Sequence, residues 1–387
     1  MARDLLIHGS TLGSAAMRHE VPARVLDPFL YGECGGRAFA VLPVIDAPNV
    51  LAARSLEILD PFSLGILDLI ASGLDRETAL AQVAVRAVRA VGLTSAVVPR
   101  EFPLFVAEHL RAAGVELEVD GAFFDARRRV KTPAELAGIR RASEAAVAGM
   151  GAAARMLASC DVREGALISE DGEALTSERV ASSIRGVVAS LGCRLDDLIV
   201  AGGAQGAVGH DFGSGPLHAG SPVVVDLWPE DRASGCWSDM TRTFVVGTPA
   251  DDVIRWHDLS VDALARSVDV VAPGVRGRDV WSVACDVFEA AGEPTQRSSE
   301  GWPQPLRDGF FFSLGHGVGL EAHEAPGLGP SGIEPFVAGD VLALEPGTGR
   351  HGVGAARVED LYLVLEDGVE LLTPFPHELD PRVGAAA

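Results

Sequence analysis

Positive charge is scarce in this chain. Against 54 Asp and Glu stand only 32 Lys and Arg, and the 387 residues carry a formal net charge of −22. Nucleic acids and anionic membrane surfaces reward basic patches, so neither is expected as a partner. Long apolar runs are missing too, and no stretch approaches the roughly 18 apolar residues that a membrane-spanning helix needs. The opening residues MARDLLIHGS carry charge where a secretory signal would need its apolar core, so the expected location is the cytoplasm. Cysteine is sparse. Cys34, Cys160, Cys193, Cys236 and Cys285 are odd in number and form no CxxC pair, which points to buried reduced thiols rather than a disulfide framework. No internal sequence repeat is visible.

What is present is a folded globular protein. Hydrophobic residues make up 48% of a chain too long for one ordinary core, so two domains are expected. The first, residues 1–130, reads as a small α/β unit. Short strands are expected at Asp4–His8, Arg37–Leu42, Ala96–Val98 and Glu116–Val119, with helices over Asp75–Val91 and Glu101–Ala113. Asp27 to Gly32 gathers aromatic and turn residues and reads as a plain loop, with the lining of a pocket as the alternative, and His8, His19 and His109 read as isolated structural or surface histidines. Gly121 to Arg129 reads as a basic-tinged connector.

The second domain, residues 131–387, opens with Thr132-Pro133-Ala134-Glu135. That is a helix N-cap, a proline at the first helical position and a glutamate closing a capping box, and the helix should run to about Ser159. Further helices are predicted over Ser177–Leu191, after a cap at Thr248-Pro249-Ala250-Asp251, and over Asp279–Ala291. The residues after Pro381 read as a disordered tail. GHGVG at 315–319 resembles a phosphate-cradling loop only weakly, since no Lys or Ser/Thr follows at P-loop spacing.

The chemistry lies in the strands. Val223-Val224-Val225 ends in Asp226, and after a polar turn Asp239 opens a second extended run. Farther on, DVLALE closes on Glu345 and ARVEDLYLVL carries Glu359. Each strand presents one acid at an end, and His316 lies between the two pairs. Buried carboxylates are costly unless paired, hydrogen-bonded or bound to metal. Four carboxylates and one imidazole form a hard, oxygen-rich set whose charge of about −4 matches two divalent first-row ions.

VVVD, SDMTRT, SLGHGVG, LEPG and RVED stand here in the order and rough spacing of the pita-bread metallopeptidases. Residues 131–375 resemble that family, which includes methionine aminopeptidase, aminopeptidase P, prolidase and creatinase. The resemblance implies a pita-bread catalytic domain preceded by a creatinase-like α/β N-terminal domain. It implies that Asp226, Asp239, His316, Glu345 and Glu359 hold two divalent ions, manganese first, with cobalt, zinc or iron as alternatives. The N-terminal domain and His323-Glu324 ahead of Pro326 point to the prolidase and aminopeptidase P branch. In that branch a histidine before the first Asp and a second after the ligand His contact substrate. His210 and His323 occupy those places in preference to His218, and Arg357 matches the arginine of the branch's RxED motif.

The implied reaction is hydrolysis of Xaa-Pro bonds in small peptides by a metal-activated water, in a dipeptide or a longer chain, with Glu345 taking the proton. A homodimer is implied as well. Two alternatives share the fold: a creatinase-like C–N hydrolase, and a catalytically inactive binding module. Both kinds of relative lack metal ligands, whereas all five are present here. One departure stands out. Leu227-Trp228 follows the first Asp where the family has a glycine, and the loop to Asp239 is longer than the family pattern, which could reshape the rim of the site.

Overall fold

The computed structural model describes residues 3–301 and 304–386 and divides into two compact units, Met1–Arg128 and Arg129–Ala387. In the first, a six-stranded mixed sheet runs in the order Glu57–Leu59, Arg37–Val41, Phe29–Cys34, Leu5–Gly9, Ser95–Val98, Glu116–Val119. Period-2 alternation sends Leu6 to a core shared with the Arg76–Ala90 and Leu104–Ala112 helices, and Leu5 and Ile7 to a second core on the opposite face. Asp75 caps the Arg76–Ala90 helix by accepting the Thr78 N–H at 2.9 Å.

Two expectations for this region need correction. Asp27 to Gly32 is not a plain loop, because Phe29–Cys34 is a central strand; the alternative holds, since Asp27 to Leu30 line a cavity of about 610 Å³. Gly121–Arg129 is a helix rather than a connector, with its Phe124 side chain buried in a core.

Among the described residues the second unit contains two main sheets, each backed by helices, and three two-stranded ribbons. Leu198–Gly202, Val223–Leu227 and Met240–Phe244 form an antiparallel sheet that shares a core with helices Pro133–Ala158 and Ser177–Ser190. The other sheet runs Glu324–Leu328, Gly315–Gly317, Val341–Leu344, Asp360–Leu365, Gly368–Leu371, and packs on helices Asp251–Asp269 and Gly277–Ala290. A bridge between Thr241 and Glu359 joins the two sheets side by side. The Thr132 capping box forms as its sequence predicts: Thr132 accepts the Glu135 N–H and Glu135 accepts the Thr132 N–H.

Three local readings fail here. The run 356–365 is not one strand: Gly354–Arg357 pairs with Gly347–Arg350, and Asp360–Leu365 joins the five-stranded sheet. Helix Asp251–Asp269 starts at Ala250 with no side-chain cap, leaving Asp251 and Asp252 in the first turn to complement the helix dipole. The expected disordered tail is a short helix, Pro381–Ala386, in which Gly384 lies so close to Phe375 and Ala154 that an added Cβ would meet them at 2.8 and 3.2 Å. Among the described residues, no helix is long and apolar enough to cross a membrane.

Candidate metal centre

The acids converge because the strands do. Asp226 lies in Val223–Leu227, paired across the hairpin with Thr241, and Asp239 immediately precedes the returning strand. Glu345 directly follows Val341–Leu344, and Glu359 directly precedes Asp360–Leu365, which is antiparallel to it. His316 sits in Gly315–Gly317, opposite Ala343 of the same sheet. The two sheets meet at Thr241, whose hydroxyl donates to Glu359 Oε2 at 2.8 Å.

Three overlapping groups result, each with its ligand atoms within 4.8 Å of one another: Asp226, Asp239 and Glu359; His316, Glu345 and Glu359; and Asp239, His316 and His323. His316 Nε2 lies 3.8 Å from Asp239 Oδ2 and 3.9 Å from Glu345 Oε1. His316 Nδ1 faces the Gly317 carbonyl at 3.2 Å, and donation there leaves Nε2 as the free lone pair aimed at the acids. Arg357 is the cation among them. It is hydrogen-bonded to Asp226 Oδ2, and its Nη1 lies 3.6 Å from Glu345 Oε2.

Four buried carboxylates gathered around one guanidinium set the electrostatics of the site. Burial, reinforced by neighbouring carboxylates, lifts Asp239 and Glu359 well above the usual carboxylate range. Burial lifts Asp226 too, against the pull of Arg357, and brings Glu345 up to about 7. Burial pushes His316 down to about 3, with His323 adding to the effect, so its imidazole is neutral. Asp226 Oδ1 is buried with no hydrogen-bond partner. An orphaned carboxylate oxygen is expensive inside a protein, and a dication would satisfy it. The donor set therefore fits a pair of hard divalent ions.

Six of the eight predicted site residues fall in these three groups, and Arg357 bonds to one of them. His323 packs against His316 with ring centroids 3.9 Å apart, and one of its nitrogens falls within the same ligand-range group as Asp239 and His316. His210, exposed on its loop, lies within electrostatic reach of both Asp226 and His323. His218 is exposed, bridges to Ala166, and joins none of the three groups. The long loop after Asp226 is tied down by its own pairings: Glu230–Asp231 pairs with Cys193–Arg194, and Asp231 accepts bonds from Arg141 and Ser234.

Sequence reasoning gave no role to two buried ion pairs that brace the site. Lys131 bonds Glu324, the residue after His323, with both side chains almost fully buried. Arg242 bonds Asp360, the residue after Glu359, at 2.7 Å, and also donates to the Glu359 carbonyl. The available signal was charge within apolar runs, since Glu324, Arg242 and Asp360 all require partners if buried.

Strand-end carboxylates with one neutral imidazole, spread over two abutting sheets, form an acidic cluster able to hold metal. A model of metallopeptidase family M24 matches residues 137–366, and this chain belongs to that family. Among curated proteins, the Xaa-Pro dipeptidase of Pyrococcus furiosus is 30% identical over 227 residues, 57% of this chain and 61% of the relative. The probable dipeptidase PepE of Mycobacterium bovis is 33% identical over 183 residues, 47% of this chain and 45% of the relative. These matches thus span between about half and three-fifths of the relatives' length. Among solved structures, the Xaa-Pro dipeptidase from Bacillus anthracis superposes with a TM-score of 0.78 at 21% identity, covering 97% of this chain and 94% of that one. Dipeptidase PepE from Mycobacterium ulcerans gives 0.75 at 25% identity, covering 97% and 92%. The α+β pita-bread fold expected from the motifs is the fold observed.

Proposed function

We propose that this chain is a dinuclear-metal-dependent peptidase that hydrolyses the bond between a first residue and a following proline. The observation that carries the reading is the density of buried carboxylate around a single arginine, including the unpartnered Asp226 Oδ1. The names of the relatives support the proline preference. Asp226, Asp239, His316, Glu345 and Glu359 hold the ions, manganese before cobalt, zinc or iron. When bound, the ions supply Lewis acidity toward a water and the scissile carbonyl.

The remaining steps belong to side chains. Glu345, at the mouth of the cluster, accepts the proton of the attacking water and returns it to the leaving amine. His323 and His210 donate hydrogen bonds to the carbonyl oxygen and the peptide as negative charge develops. Arg357 keeps Asp226 and Glu345 in place and offsets their repulsion. The 1–128 unit is the creatinase-like N-terminal domain of the branch, and the enzyme works in the cytoplasm as a homodimer. A creatinase-like activity is disfavoured because the complete acid set would have no role in it.

A panel of dipeptides and tripeptides with proline or alanine second tests the assignment. With manganese present, Xaa-Pro substrates should be cleaved with kcat/KM at least ~10²-fold above their Xaa-Ala counterparts. Cleavage indifferent to proline would remove the chain from this branch.

A further inference from the structure

The first unit carries a cavity lined by residues 8–106, none of them in the metal centre. The six-stranded sheet beneath it is parallel except for Phe29–Cys34. Strand order reverses at Leu5–Gly9. The next three strands in sequence extend the sheet on one side, and Ser95–Val98 and Glu116–Val119 extend it on the other. In open α/β sheets, ligands bind in the crevice beyond the carboxyl ends of the strands at such a reversal. His8 and Gly9 at the end of Leu5–Gly9, Val41 at the end of Arg37–Val41, and Pro61 just past Glu57–Leu59 all line the cavity. Its volume of about 610 Å³ falls within the ~300–1,000 Å³ usual for small-molecule sites.

Its walls are mainly apolar. Phe29, Leu30, Ile66 and Val83 are buried in them, whereas Phe62, Leu67 and Phe105 are 57%, 61% and 49% exposed. Large apolar side chains left open to solvent around a cavity mark a binding surface rather than a core. The polar groups are few. The His8 ring stands edge-on to Phe102, and its Nδ1 is buried with no hydrogen-bond partner. Burial lowers the proton affinity of this ring, so the imidazole is neutral and one nitrogen offers a lone pair. Glu77 lies within electrostatic reach of it. Asp27, Asp46 and Glu77 stand against Arg76 in the lining, which is therefore net acidic.

We propose that this cavity is a second binding site, for a small apolar molecule that carries a protonated amine. The ammonium donates a hydrogen bond to the His8 imidazole and pairs with the Glu77 carboxylate. The hydrocarbon body fills the space between Phe29, Phe62 and Phe105, whose ring faces also favour a cation. An anion of the same shape would meet an acidic lining and is rejected. The inference is independent of the peptidase reading, because the two sites share no residue.

The test is calorimetric titration of the full chain, manganese-loaded so that the carboxylate cluster does not compete for cations. Three probes of equal length are used: phenylbutylamine, phenylbutanol and phenylbutyrate. Wild type should bind the amine at one site with Kd below about 1 mM. The acid should bind at least ~10-fold more weakly, because it lacks the charge-assisted pairing. Glu77→Gln, a surface change, should weaken the amine by ~10-fold and leave the alcohol unchanged. His8→Phe, which keeps the ring and removes the lone pair, should weaken the amine by a similar factor. Thermal melts confirm that the variants are folded, and Glu77→Gln decides the matter if His8→Phe is not. No saturable binding of the amine, equal affinity for amine and acid, or an amine affinity that neither substitution lowers overturns the inference. Each of these results leaves the peptidase reading standing.

Discussion

Alanine at His316 should lower metal occupancy and catalytic rate together, whereas alanine at His323 should lower the rate and spare the metal. His316 directs Nε2 at Asp239 and Glu345 at 3.8 and 3.9 Å and has its other nitrogen anchored on the Gly317 carbonyl. On the metal reading proposed above, removing it deletes a nitrogen ligand, and among the described residues only His323 is grouped with it to take that place. That exception makes the pair informative, because His323 lies with Asp239 and His316 inside one set of ligand-range atoms. If His323 instead serves the reacting peptide, His323→Ala should lose kcat and kcat/KM by about 10²-fold or more, as expected for a contact made mainly in the transition state. Its metal content should stay near wild type. Metal analysis and steady-state kinetics on both variants decide the matter, and equal metal loss in the two would assign His323 to the ligand set.

Truncating Arg242 should cost ~3–5 kcal/mol of stability, the usual penalty for leaving half of a buried ion pair behind. Arg242 and Asp360 each have side chains only 1% exposed. The guanidinium also donates to the carbonyls of Thr241, Glu359, Phe375 and Pro376. Asp360 accepts further bonds from Thr373 at 3.0 Å and His377 at 2.7 Å. Because Arg242 follows Thr241 and Asp360 follows Glu359, this network fixes the junction that aims a metal-centre carboxylate. Arg242→Ala should therefore show a much lower denaturation midpoint in urea. A change within about 0.5 kcal/mol, ordinary for surface positions, would show that the network is not stabilising.

The site was legible from the chain because its signals are local. A β-branched run closing on Asp226, and DVLALE closing on Glu345, each join a short continuous apolar strand, buried throughout, to an acid that has no reason to end an apolar run. The helix at Pro133–Ala158 was equally plain, since Thr132, Pro133 and Glu135 carry its start within four residues. What escaped depends on partners far away in sequence. Arg242 meets Asp360 118 positions on, and Lys131 meets Glu324 193 positions on, and neither distance leaves a pattern in a short window. The break between Arg357 and Asp360 is of the same kind, because Gly354–Arg357 and Asp360–Leu365 differ in which sheet accepts them rather than in propensity. The terminal Pro381–Ala386 helix exists by packing Gly384 on Ala154 and Phe375, contacts that its own composition does not announce.

The central claim is that the carboxylate cluster holds two divalent ions that the reaction needs. It is tested most directly by metal content measured beside activity, before chelation, after chelation and after restoring manganese. About two divalent ions per chain at saturation, loss of Xaa-Pro hydrolysis on stripping and its return on reloading are the expected results. Full activity in protein verified to be metal-free would contradict the account.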